Sequence, residues 1–299
     1  MIATESTAVA PLTLRARLFV WLQYLLPQLT LSRLAWHATR SRSVPFKNFL
    51  ISRFVRSFRP DMSEAEVSAP LAYASFNEFF TRALRAGARH IDADPRIIVS
   101  PVDGTVSAIG RITDAELVQA KGRNYSLAAL LAGSQRETDR FVNGTFATLY
   151  LAPFNYHRIH MPYDGTLQAA WYVPGRLFSV NATTAAAVSN LFARNERVVC
   201  VFDDAPLGFA LIMVGALFVG SMSTRWHGDV TPAARRRPCE LAPRRDVDLK
   251  LPKGAELGRF NMGSTVILLL PQGAADWLPG LAAGRRIEVG QALARRCAS

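Results

Sequence analysis

The hydrophobic pattern divides the chain into a helical first part and a strand-rich remainder. Between Lys47 and Phe58, Leu50, Ile51, Phe54, Val55 and Phe58 recur at helical spacing, while Lys47, Ser52, Arg53, Arg56 and Ser57 take the other face. That spacing predicts a basic amphipathic helix. Upstream, the apolar run Leu18 to Leu26 follows Arg15 and Arg17 and stops at Pro27 and Gln28. The stretch between Arg17 and Arg33 is too short to span a bilayer, and no small-x-small cleavage site follows it. It is expected to lie on a membrane surface, neither crossing it nor directing export. Ser75-Phe-Asn-Glu78 is a capping box and predicts a short helix from Phe76 to Arg85.

From Val99 onward, β-prone segments alternate with Gly, Asn, Asp and Pro: Thr105 to Ile112, Phe146 to Leu151, Thr166 to Val173, Arg197 to Phe202 and Ser264 to Leu270. These predict strands. The long apolar run from Ala205 to Thr224 is broken by Gly208, Gly215 and Gly220. It reads as two buried strands, Phe209 to Val214 and Ala216 to Val219, joined by a turn. Residues 225 to 250, with Arg235, Arg236, Arg237, Arg244 and Arg245 among three prolines, read as an exposed basic loop. The expected class is α+β, with N-terminal amphipathic helices in residues 1–60 followed by a β-rich core in 61–299.

Composition sharpens this picture. The chain has 299 residues, 49% hydrophobic, with 35 basic and 23 acidic side chains and a net charge of +12. Such a chain is neither disordered nor a disulfide mini-protein. Only Lys47, Lys121, Lys250 and Lys253 are lysines, so the excess is arginine, which suits forked contacts with phosphate or carboxylate. No nucleic-acid motif is present and the basic residues are dispersed, so nucleic acid is not the expected partner. Trp21, Tyr24 and Trp36 lie among Arg15, Arg17, Arg33 and Arg40, the mixture favoured at a headgroup layer. Cys200, Cys239 and Cys297 are widely spaced and suggest reduced thiols, not a disulfide framework or a zinc site.

Tyr156-His-Arg-Ile-His160-Met-Pro162 is the most unusual local sequence. Two histidines at i and i+3 do not share a face of a strand, and no Cys pair or H-E-x-x-H context completes a metal site. Imidazole chemistry near neutrality makes acid–base work the sharper reading of His157 and His160, with structurally bonded histidines as the alternative. Asp103, in Val99-Ser-Pro-Val-Asp-Gly-Thr105, and Ser264, in Asn261-Met-Gly-Ser-Thr-Val266, each read alone as turn residues. Taken together, Asp103, His160 and Ser264 are the ingredients of an orienting carboxylate, a base and a nucleophile. No G-x-S-x-G elbow is present.

Seven pieces occur in an order that resembles phosphatidylserine decarboxylases. They are Val99 to Thr105, Lys121-Gly-Arg-Asn-Tyr-Ser126, Phe141-Val-Asn-Gly-Thr-Phe146, Tyr156 to Pro162, Val173-Pro-Gly-Arg-Leu-Phe-Ser-Val-Asn181, Asn190-Leu-Phe-Ala-Arg-Asn-Glu-Arg197 and Gly258-Arg-Phe-Asn-Met-Gly-Ser-Thr265. The resemblance implies a proenzyme that cuts itself at a Gly-Ser bond inside an L-G-S-T motif, here Met262-Gly-Ser-Thr265. Met for Leu keeps an apolar side chain of similar volume. It further implies a self-cleavage triad of Asp103, His160 and Ser264, with His157 as proton donor in decarboxylation. The products would be a β chain of residues 1–263 and an α chain of 264–299 that stay associated. Ser264 would become a pyruvoyl group, which decarboxylates phosphatidylserine to phosphatidylethanolamine through a Schiff base without metal or pyridoxal phosphate. The implied location is peripheral, on an anionic membrane at the cytoplasmic face of the inner membrane, and a homodimer is allowed. Competing readings are a membrane-associated serine hydrolase that stays one chain, a non-catalytic basic module that binds anionic lipid or nucleic acid, and a pyridoxal-dependent enzyme.

Overall fold

The first helices form where the pattern places apolar faces. The computed structural model describes residues 13–120, 123–203, 207–217, 221–230, 237–241, 249–262 and 264–297. Helix α1 spans Leu14–Leu25 and starts at Thr13, whose side chain accepts from the Ala16 amide. Pro27 separates it from α2, Gln28–Thr39. Helix α3, Val44–Phe58, carries Pro45 in its first turn, where proline costs no hydrogen bond. It buries Ile51 and Phe54 against Phe76, Phe79 and Phe80 of α4, Phe76–Phe80. Lys47, assigned by pattern to the polar face, is buried instead: its ammonium donates to the Leu71 carbonyl at 2.8 Å and to Asn48 Oδ1 at 2.9 Å.

Helix α4 is shorter than the pattern predicts. Ser75 caps the Glu78 amide as expected, but the chain leaves the helix after Phe80. Arg82 reaches across to the Phe154 carbonyl, and residues 83–85 pair with 64–66 through Glu66 N–H to Ala83 O and Arg85 N–H to Glu64 O. Tertiary pairing outcompetes the local helix signal there.

Among the described residues the strands are β1 (Ile97–Val99), β2 (Gly104–Arg111), β3 (Glu116–Ala120), β4 (Arg123–Ser126), β5 (Thr145–Leu151), β6 (Arg158–His160), β7 (Gly165–Val173), β8 (Arg197–Asp203), β9 (Phe209–Val214), β10 (Met222–Thr224), β11 (Gly228–Val230), β12 (Cys239–Glu240), β13 (Lys250–Leu251), β14 (Glu256–Phe260), β15 (Ser264–Leu270), β16 (Ala275–Trp277), β17 (Arg286–Ile287) and β18 (Ala292–Arg296). The main sheet has the order β12-β7-β8-β9-β15-β5-β2-β17, with β13 also beside β7. A second sheet, β11-β10-β14-β6, packs Ile159, Met222 and Phe260 against Met213, Val266 and Leu268 of the first. The opposite face of the main sheet, with Val214, Ile267 and Leu269, is covered by Leu127, Leu130 and Phe192. Both faces are therefore dry, which explains why β15 is a continuous apolar run after its first two residues instead of an alternating one.

The α+β reading holds. The strand expected at Ala216 to Val219 is absent from its described part: Ala216 and Leu217 follow β9 outside any strand, and residues 218–220 lie outside the described residues. Within the expected basic loop, residues 225–230 form the β10–β11 turn and its return strand, whereas Arg235, Arg236, Arg244 and Arg245 lie outside the described residues.

The α1–α2 elbow is fastened to the core by two buried glutamines. Gln23 Oε1 accepts from the Ser179 amide at 2.7 Å and Gln28 Oε1 from the Leu177 amide at 2.8 Å. The outward faces of these helices stay apolar: Leu14, Trp21 and Leu25 are 81%, 58% and 63% exposed. No helix among the described residues is long and apolar enough to cross a membrane.

Candidate active site

Ser264 is the first residue of β15, paired with Leu151 at the end of β5. It is fully buried, and its Oγ has no hydrogen-bond partner. A buried unpaired hydroxyl costs free energy unless function retains it. The residue opens onto a cavity of about 240 Å³ walled by Phe54, Phe58, Phe80, Tyr150 and Met262. Helix α3 thus supplies part of the wall, and Ser179 and Val180, next to the segment held by the two glutamines, supply another part. Gly263 lies outside the described residues.

Strand alternation separates the two histidines. His157 has the same parity as Ile159 and Met161, both buried in the core between the sheets. It is itself fully buried, with its ring centroid 4.2 Å from that of Phe80. Phe80 also walls the Ser264 cavity, so His157 and Ser264 flank one aromatic ring. The His157 backbone carbonyl accepts from the Phe260 amide, which ties it to the strand leading into Ser264. Its Nδ1 lies 2.8 Å from the Asn155 carbonyl. A carbonyl only accepts, so Nδ1 bears the proton and Nε2 presents a bare lone pair. That Nε2 has no partner. Burial pushes the imidazole down to about 3, with the Asn155 bond opposing the shift, so the ring is neutral at pH 7.

His160 faces the other way, alongside Arg158. Its Nδ1–H donates to the Gly254 carbonyl at 2.7 Å, and its Nε2 accepts from the Tyr156 hydroxyl at 3.0 Å. Burial lowers its proton affinity, the Gly254 bond opposing, so it too is neutral at pH 7. Asp103 is buried in a neighbouring cleft of about 290 Å³ lined also by Tyr156 and Arg89. Its carboxylate accepts from Arg89 Nε at 3.0 Å and Nη2 at 2.6 Å and from the Val289 amide at 2.8 Å. Arg89 is shared with Glu64 at 2.7 Å.

The four predicted residues therefore fall into two groups. Ser264 and His157 are linked through Phe80, which packs on the histidine and walls the serine's cavity, and each has an unpaired polar atom. Asp103 and His160 lie near Tyr156, which walls the Asp103 cleft and bonds His160. No hydrogen bond among the described residues joins Asp103 to His160 or His160 to Ser264. Tyr156, Arg89 and the buried Glu196 were given no role from the sequence, although Tyr156 and Glu196 stand inside two of the pieces quoted above. Glu196 had one available signal, an acid at the head of the apolar run Val198 to Phe202.

A family model described as phosphatidylserine decarboxylase matches residues 76–295, and a second, described only as PSD, matches residues 18–59. The chain belongs to the phosphatidylserine decarboxylase family. Relatives named phosphatidylserine decarboxylase proenzyme include one from Methylococcus capsulatus, 49% identical over 93% of this chain and 96% of the relative. One from Acidovorax ebreus is 50% identical over 94% of this chain and 98% of its own. One from Marinobacter nauticus is 47% identical over 93% and 98%. The decarboxylase model spans every strand from β1 to β17 and includes the Ser264 cavity, while the shorter one covers α2, α3 and most of α1. Among the described residues of this decarboxylase-family chain, no group of three or more His, Cys, Asp or Glu side chains is placed to hold a metal ion.

Proposed function

We propose that the chain is a proenzyme that breaks itself between Gly263 and Ser264 and then decarboxylates phosphatidylserine to phosphatidylethanolamine. The observation that carries this reading is the unpaired hydroxyl of Ser264, buried in an apolar cavity at the residue where the family motif places chain breakage. Ser264 Oγ attacks the Gly263 carbonyl, turning amide into ester. Elimination then releases the upstream chain as a carboxylate, and hydrolysis of residue 264 with loss of ammonia leaves a pyruvoyl cap. His160, oriented by Asp103, is the base for this stage. It serves Ser264 once the Tyr156 hydroxyl gives up its hold on Nε2.

The surroundings fit a group made in place from Ser264: a largely apolar cavity, an anchored strand and an unpaired imidazole nitrogen on the ring of Phe80, a cavity wall. A pyruvoyl carbonyl supplies the electron-withdrawing centre that draws on the bond to the departing carboxylate, as pyridoxal phosphate does elsewhere. The protein's own part is to exclude water with Phe54, Phe58, Phe80 and Met262 and to offer His157 Nε2, bare in the resting state, as the atom that takes up a proton during the reaction and returns it after carbon dioxide leaves. No metal or pyridoxal phosphate enters this account.

On this reading the sheet is what holds the two chains together. Residues 264–299 contain β15, which lies between β5 and β9 in the main sheet, together with β17 against β2 and β18 against β1. Cutting before Ser264 severs no ladder. The substrate keeps its acyl chains in a bilayer, and α1 and α2 offer the apolar, aromatic and arginine-rich face suited to an anionic surface. Phe58 at the end of α3 reaches from the surface to the cavity, being 43% exposed and also a cavity wall. On this reading the protein works peripherally, on the cytoplasmic face of the inner membrane.

A second reading is favoured by one observation: His157, not His160, has a free nitrogen, and it packs on Phe80, which walls the Ser264 cavity; this suits it to be the base for chain breakage. Intact masses separate the two. If His160 is the base, His160→Ala remains a single chain and His157→Ala is cleaved but fails to decarboxylate. If His157 is the base, the His157→Ala chain stays whole. Ser264→Ala stays whole under both; its cleavage at the same bond would sink the proposal.

A further inference from the structure

Glu196 lies in the same cross-strand row as Ser264. Val214 pairs with Arg197 on one side and with Thr265 on the other, so one position along the ladder Glu196, Gly215 and Ser264 fall in line. The Gly215 amide donates to the Glu196 carbonyl at 2.9 Å, consistent with this register. Members of one row share a face, here the face of Val198, Met213 and Val266 that packs on the second sheet. Neighbouring strands lie about 4.8 Å apart, which puts the two outer residues about 10 Å apart at Cα, within a glutamate's reach of the serine's surroundings.

The middle residue has no side chain, and Glu196 occupies that space. A Cβ on Gly215 would lie 3.0 Å from Glu196 Cγ and 3.2 Å from its Oε1. The carboxyl therefore lies over the glycine. Glu196 is fully buried; Oε2 accepts from the Tyr172 hydroxyl at 3.0 Å, and Oε1 has no partner. Its chain neighbours behave differently. Asn195 bonds both backbone polar groups of Phe178 and the Gly215 carbonyl, and Arg197 donates to the carbonyls of Ala129, Leu130, Ala193 and Asn195. Those side chains are satisfied by holding the fold. Burial raises the Glu196 carboxyl to about 7, the Tyr172 bond opposing. It thus retains its proton near neutrality, and with Oε2 accepting from tyrosine the proton sits on Oε1.

Resting on the self-cleavage reading above, we propose that Glu196 is the proton-donating acid of chain breakage at Ser264. The hydroxyl proton passes to a histidine nitrogen as the bond from Oγ to the Gly263 carbonyl carbon forms. Glu196 gives its proton to the Ser264 nitrogen as the carbon–nitrogen bond breaks, and the histidine's proton then returns to the Glu196 carboxylate. A peptide bond becomes an ester and an amine with no net proton taken up.

The test follows the conversion of newly synthesised full-length chain to two fragments by intact mass, alongside thermal unfolding. Glu196→Gln keeps the shape and the tyrosine bond but has no proton to give, and is expected to slow cleavage about 100-fold, as loss of a general acid does, with an unfolding midpoint close to wild type. Cleavage within twofold of wild type overturns the inference. Should the glutamine variant fail to fold, Gly215→Ala decides, because its methyl displaces the carboxyl: slow cleavage supports the assignment and wild-type cleavage removes it. A wild-type chain that never cleaves would instead overturn the self-cleavage reading, a result distinct from either.

Discussion

The two faces of the chain through residues 157–160 place its histidines in opposite surroundings. Inward, His157 is fully buried against Phe80 with one nitrogen unpaired, and Phe80 also walls the cavity of a serine whose hydroxyl is unpaired. Outward, His160 has both nitrogens engaged, near an Asp103 held by Arg89 and the Val289 amide. The inner histidine keeps a nitrogen without a partner, whereas the outer one has both engaged. A saturated network fixes positions; an unsaturated one leaves valence for a reaction, at a cost in stability. Two histidines three positions apart in sequence thus suit two different tasks.

The largest expected effect comes from exchanging those tasks. His157→Ala should lower decarboxylation of phosphatidylserine by at least about 100-fold while intact mass still shows two chains, and His160→Ala should leave one chain. Reversed results would move the base to the inner face. Next, Arg89→Ala should destabilise the protein by about 3 kcal/mol in urea unfolding, because it strands the buried Asp103 carboxylate. A change below about 0.5 kcal/mol, the size typical of surface substitutions, would mean that the outer network is not the rigid element described.

The inner histidine also predicts a pH dependence. Its folded-state proton affinity is depressed from 6.5 to about 3, so the unfolded chain binds its proton first. The stabilisation is complete above pH 6.5 and is lost as pH falls towards 3, by up to about 1.4 kcal/mol per pH unit. Urea midpoints at pH 7, 6 and 5 should therefore fall more steeply for wild type than for His157→Gln; equal slopes would show that burial does not suppress this charge. The smallest effect is at the membrane. Arg15→Ala and Arg17→Ala should each weaken binding to phosphatidylserine-containing vesicles by about 1 kcal/mol at low salt, with no effect on neutral vesicles.

Much of the fold was legible because burial leaves a pattern. β15 begins and ends where the apolar run predicts, Ser264 to Leu270, and α3 follows its helical stripe. The failures are tertiary. The helix from Phe76 stops at Phe80 because residues 83–85 pair with 64–66, and Lys47 turns inward because the Leu71 carbonyl needs a donor. At the site, Ser264 and the histidines stood out by motif, and strand parity already indicated that His157 and His160 diverge. The Arg89–Asp103 pair joins a bend beyond the 83–85 pairing segment to the bend before β2, and the Glu196–Ser264 row depends on strand order. Neither leaves a trace in local spacing.

The central claim is that Ser264 is the point of chain breakage and the source of the reactive carbonyl. Intact mass of the purified wild-type protein tests it most directly. The account predicts two associated fragments, one ending at Gly263 and the other beginning at residue 264 with a blocked pyruvoyl terminus; a single uncleaved chain that decarboxylates phosphatidylserine at full rate would contradict it.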